Sequence, residues 1–151
     1  MAKSIVFIDT EVGVDDHKIH DIGAVRQDRA YFHSASVRNF VEFIAGAEYI
    51  CGHNILHHDL KYIHDSLGYE LRVTVIDTLY LSPLLFPKRP YHALLKDDKL
   101  QTEQLNDPVN DCQKAASLFY DEVNAFFDLP PKVKQIFCYT IILSSAVFFN
   151  M

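Results

Sequence analysis

Four acidic residues, Asp9, Glu11, Asp59 and Asp111, stand where a side chain points inward. Strand side chains alternate, so Ile5, Phe7, Asp9 and Glu11 share one face of the apolar run that opens the chain. Two residues along a strand separate side chains by about 6.5 Å, which lets both carboxylates meet one ion or bridge two. The same pair also suits a strand end running into a polar turn. Asp59 lies three residues after Leu56 and four before Ile63, on the inward side of a helical pattern where a bare charge is costly. Asp111, four residues before Ala115 and seven before Leu118, continues an apolar stripe in the same way. An acid in a first helical turn is also favoured by the helix dipole. No Lys or Arg takes a comparable inward position in these segments. Carboxylates gathered in that way call for hard divalent cations, which prefer oxygen ligands.

The elements that must hold these acids can be read from periodicity. Residues 4–10 alternate as a strand, and 18–25 and 30–33 pair with it as an antiparallel meander. A helix over 37–45 turns Val37, Phe40, Val41 and Ile44 to one side, 49–51 is a short strand, and a helix over 55–67 turns Leu56, Leu60, Ile63 and Leu67 inward. The β-branched stretch 71–76 makes a fifth strand, with Asp77-Thr78 after it as a helix cap rather than a further ligand. A loop runs over about 87–107. Asp107 then caps a helix with Pro108 in its first position, running to about Phe127. Three strands followed by alternating helix and strand predict an α/β fold, a mixed five-stranded sheet with helices on both faces.

The chain has 151 residues, 49% hydrophobic and 23% charged, which fits a single domain, 1–151, with its own core. The 14 residues 136–149 are almost wholly apolar but fall short of the about 20 needed to cross a bilayer, so 130–151 reads as a buried terminal helix. It would suit the edge of a domain cut from a longer protein. The start lacks a secretory signal, and three cysteines without CxxC spacing, each in an apolar stretch, suit buried thiols in a reducing compartment, so the expected location is intracellular, in the cytoplasm. A net charge of -6 excludes a protein that coats duplexes through Lys and Arg. It does not exclude one that grips a few nucleotides through cations held on carboxylates.

Three segments, Phe7-Ile8-Asp9-Thr10-Glu11, Gly52-His53-Asn54-Ile55-Leu56-His57-His58-Asp59 and Asn106-Asp107-Pro108-Val109-Asn110-Asp111-Cys112, resemble the three exonuclease motifs of the DEDD 3′-to-5′ exonucleases, in order. Ile19-His20-Asp21-Ile22-Gly23-Ala24-Val25 is similar to the second strand of that family, and the resemblance spans about 4–127. It implies a ribonuclease H-like three-layer fold and two Mg²⁺ or Mn²⁺ ions on Asp9, Glu11, Asp59 and Asp111, cutting the terminal phosphodiester of DNA or RNA single strands from their 3′ ends. Thr10, Val12, Gly13 and Asn54 correspond to positions lining the terminal nucleotide. Segment 105–129 with the apolar helix after it resembles exonuclease domains placed ahead of RecQ-type helicases, so a helicase or polymerase module is an expected partner. One position departs from the family. Asn106 stands where one branch carries its histidine base, and Asp107 where the other carries a tyrosine. An amide does not accept a proton near neutral pH. The competing expectation is therefore a module that keeps fold and metals for nucleic-acid binding or partner docking without turnover.

Among eight histidines, His53 and His57 have the spacing of a helical metal pair, but no Cys or acid pattern completes a zinc site. His92, in the loop that approaches substrate in this family, is a candidate substitute base or phosphate contact. Phe119, Phe126 and Phe127 read as core.

Overall fold

The computed structural model describes residues 4–94 and 107–148, with side chains to 139. Asn106 lies outside the described residues. Strands β1 (Ile5–Val12), β2 (Ile19–Arg26) and β3 (Tyr31–His33) form the antiparallel meander. Helix α1 (Val37–Ile44) leads to β4 (Tyr49–Gly52), α2 (Asp59–Leu67) to β5 (Thr74–Asp77), and α3 (Thr78–Leu85), α4 (Pro108–Asp128) and α5 (Pro131–Phe148) follow. The sheet order is β3-β2-β1-β4-β5, with β4 parallel to both β1 and β5. The carboxyl ends of three parallel strands therefore share one edge of a mixed five-stranded sheet.

Alternation along β1 divides the core. Val6 and Ile8 pack with Ile22, Ala24, Phe40, Ile44, Ile50, Leu60 and Ile63, beneath α1 and α2. Phe7 packs with Cys51, Cys112, Ala116 and Phe119, beneath α4. Helices thus cover both faces, and three layers result, the arrangement of the ribonuclease H-like class. Gly23 lets α4 settle directly on the sheet: a Cβ there would lie 2.4 Å from the carbonyl carbon of Pro108.

Two local expectations change, the start of α2 and the burial of Phe127. The helix expected over 55–67 begins at Asp59; Ile55 turns into the core, Leu56 is exposed, and the chain from His53 to His58 is a turn. Asp77 fixes that turn by accepting from the backbone N–H of Asn54 (2.9 Å) and Leu56 (3.1 Å) while it caps α3 through the N–H of Leu79 (2.9 Å). Helix α5 exposes Ile136, Cys138 and Tyr139, and the side chains of 140–149, most of the apolar stretch expected to be buried, lie outside the described residues. Phe127 is likewise exposed, whereas Phe119 joins the core. No described helix is long and apolar enough to cross a membrane.

Candidate metal centre

Asp9 and Glu11 emerge at the end of β1 on the α4 face, as alternation from Phe7 requires. Asp111 arrives one turn into α4, whose start is fixed by the Asp107 side chain accepting from Val109 N–H (2.9 Å) and by Pro108 at the first helical position. A carboxylate oxygen from each of Asp9, Glu11 and Asp111 falls within 4.8 Å of the others, and all three residues are half-buried. Like charges that close repel by on the order of a few kcal/mol per pair. Lys114, one turn after Asp111, reaches its Oδ1 at 3.3 Å, so the inward acid does have a lysine nearby, contrary to the reading of the sequence.

Asp59 stands outside that group. It is 1% exposed, and its Oδ1 accepts from both the backbone N–H (2.7 Å) and the hydroxyl (2.8 Å) of Thr10. Thr10 continues the face of Val6 and Ile8, so Asp59 reaches β1 from the α2 layer while the other three acids gather in the α4 layer. Burial pushes the Asp59 carboxyl up to about 6, against the two hydrogen bonds from Thr10, which favour its charge. Cys112, buried beneath the acids, has its thiol held well above the usual range by desolvation first and then by the charges of Asp9, Asp59 and Asp111. All three acids are thus close enough to be felt at one point, although only two of them share a pocket with Glu11.

No protein-family profile matches the chain, and no curated protein matches it.

The remaining candidates are distributed around this centre. Thr10 is buried and committed to Asp59. Val12 ends β1 after a register irregularity, and Gly13 begins a turn closed by its N–H to the carbonyl of Lys18 (2.9 Å). Asp16 and His20 lie over Gly13, paired at 2.9 Å. Asn54 occupies the turn after β4 with a positive φ of 65°. His92 is hydrogen-bonded through Nδ1 to Ser82 of α3 at 2.9 Å. His53 and His57 do not form a pair: one bonds Thr78 at 2.8 Å and the other Tyr80 at 2.5 Å.

Two features escaped the sequence. Glu122 of α4 is 1% exposed, and neither of its carboxylate oxygens has a hydrogen-bond partner among the described residues. Desolvation raises it to about 8, with Arg89 opposing and Asp77 adding to the rise. The signal was in the spacing, since Ala115, Phe119, Glu122 and Phe126 fall on one face of the helix. The second is the pair Asp21 and His33. Asp21 is the direct register partner of Glu11, and His33 Nε2 lies 2.6 Å from Asp21 Oδ2. Only strand register brings residues 12 apart together, and β3 is too short to declare its register in sequence.

Proposed function

We propose that the chain is a metal-dependent 3′-to-5′ exonuclease acting on single-stranded DNA or RNA, with Asp9, Glu11 and Asp111 as the principal ligands. The single observation that carries this reading is the convergence of those three carboxylates, from a strand end and a helix start, within the reach of one ion. Their donor chemistry fits Mg²⁺ or Mn²⁺: hard oxygens, half-buried and close together. Bound there, a divalent ion would activate water and neutralise charge developing on the phosphodiester. The order of motifs along the chain and the three-layer sheet support the same reading.

The chain's own residues perform the rest. Asp77 and the turn it holds set the edge beside the acids, and Asp107 caps the helix that delivers Asp111. Asp59 fixes the strand between the two β1 acids by gripping Thr10, which keeps Asp9 and Glu11 on their common face. Its commitment also favours a second reading, a module that binds one ion and nucleic acid without turnover, because two ions on four acids require Asp59 to face the centre. End-labelled single strands of DNA and RNA incubated with Mn²⁺, Mg²⁺ or chelator separate the two. Metal-dependent shortening from the 3′ end is the expected result, and metal-dependent binding without shortening favours the module.

A further inference from the structure

Helix α3 turns polar residues inward. Its large apolar side chains Tyr80 and Leu84 are exposed, while Thr78 and Ser82, one turn apart on the other side, are buried. Thr78 donates to the carbonyl of Gly52 (3.3 Å) and lies 2.8 Å from His53 Nδ1, and Ser82 lies 2.9 Å from His92 Nδ1. Helix α3 packs on α4, which carries Glu122. Both Glu122 oxygens and His53 Nε2 are buried without a hydrogen-bond partner among the described residues. The groups that act on Glu122 place it along this seam. Arg89, just past the end of α3, opposes the rise that burial imposes, while Asp77, the cap of α3, and Asp121 on its own helix add to it. Beneath, on β4, the fully buried thiol of Cys51 is pushed up by burial, then by Glu122, then by Asp77.

A carboxyl without donors keeps its proton when buried, and once ionised it must be solvated. The nearest fixed charge on β5, Asp77, is of the same sign, and Arg89, the cation that acts on Glu122, is itself exposed. The two helices that enclose Glu122 are held unequally. Helix α4 has 21 residues, is bedded on the sheet through Cys112 and Ala115, and lies against Gly23 by its first turn. Helix α3 has eight residues, buries only Thr78 and Ser82 among them, and carries Pro83 in its interior, where the backbone loses one donor. Of the two, α3 is the one to yield.

We propose that Glu122 is a proton-operated latch: with its proton it lies dry between α3 and α4, and without it α3 parts from α4 and water reaches Glu122 and Cys51. The opening is local, so Cys112, on the sheet-facing side of α4, stays covered. Closed, the carboxyl holds its proton to about 8, whereas opened to water it loses it near 4.5. Each pH unit between those values therefore favours the open form by up to about tenfold, and the gain stops above the upper one. The α3 edge of the domain is tight in acid and looser near neutral pH, whether or not the acid cluster holds a metal.

The test follows thiols in the full chain with a maleimide from about pH 5 to about pH 8, each cysteine being read by mass spectrometry. Exposed Cys138 reports intrinsic reactivity. Cys51 should react more slowly than Cys138 throughout, yet its rate divided by that of Cys138 should climb by about 100-fold or more across the range. The same ratio for Cys112 should stay flat. In Glu122→Gln the Cys51 ratio should lose its pH dependence, and Glu122→Leu, which removes the polar atoms, should do the same if the amide is not accommodated. A parent whose Cys51 ratio ignores pH, a Cys112 ratio that climbs in step with it, or a folded variant that keeps the climb overturns the latch.

Discussion

The two faces of β1 treat carboxylates in opposite ways. On the α2 side Asp59 is sealed from water and given two donors by one residue, Thr10. On the α4 side Asp9, Glu11 and Asp111 stay half-exposed and crowd one another. The first arrangement ties α2 to β1, and the second gathers charge that an oxygen-seeking cation would relieve, as proposed above. Glu122 gives a third case, sealed like Asp59 but with no hydrogen-bond donor among the described residues, and burial pushes it up to about 8, whereas the Thr10 bonds oppose the rise of Asp59.

The sharpest way to break this contrast is to remove the acids in turn. Asp59→Ala leaves the amide and hydroxyl of Thr10 without their acceptor, and each orphaned donor costs about 1–3 kcal/mol, so urea unfolding should show a loss of roughly 2–5 kcal/mol. Asp9→Ala, by contrast, should leave metal-free stability within about 1 kcal/mol of the parent, because it also relieves repulsion. Equal losses for both variants would erase the distinction between the faces.

Metal loading should then act on the α4 face alone. At about 100 times its dissociation constant Mn²⁺ stabilises by about 2.7 kcal/mol, a shift readable by calorimetry. Asp9→Ala and Asp111→Ala should abolish that shift, while Asp59→Asn should retain it. Loss in all three would bring Asp59 into the ligand set.

Glu122 sets a pH dependence whose sign follows from its raised pKa. Unfolded, the carboxyl loses its proton near 4.5; folded, it keeps it to about 8. The native state therefore binds more protons between those values, and stability falls as pH rises from about 4.5 to 8, then levels. Glu122→Gln should flatten that slope and raise stability at pH 8 by on the order of 1–3 kcal/mol. A mutant with the parent's pH profile would mean that Glu122 finds a partner in solution.

The smallest effect expected is on thiol reactivity. Cys138 is exposed and should react first with a thiol reagent, while Cys51 and Cys112, buried and pushed up by desolvation, should stay protected in the folded chain. Mass spectrometry counts the modified thiols. Early labelling of Cys112 would show that the α4 layer lifts from the acids it covers.

Much of this was legible in the sequence. Period-two alternation placed Asp9 and Glu11 on one face, and Asp107-Pro108 announced the start of α4 and hence the direction of Asp111. The inward turn of Asp59 was legible too, but not which layer it faced. That depends on α2 packing against the even residues of β1, a long-range choice that local spacing does not encode. Leu56 misled the helix start because the turn held by Asp77 depends on a residue 21 positions away. Phe127 misled in another way: an apolar residue type does not by itself say which way its side chain turns.

The space above Gly23 has a meaning of its own. With backbone atoms of Pro108 and Val109 lying 2.4 to 2.6 Å from where a Cβ would be built, even a methyl group would act as a shim beneath the first turn of α4. The helix would tilt or lift, and Asp111 would travel with it while Asp9 and Glu11 stayed on the strand. The spacing of the three carboxylates is thus calibrated by a side chain that is missing. The residue that sets how far Asp111 stands from the two strand acids carries no charge and is not one of them.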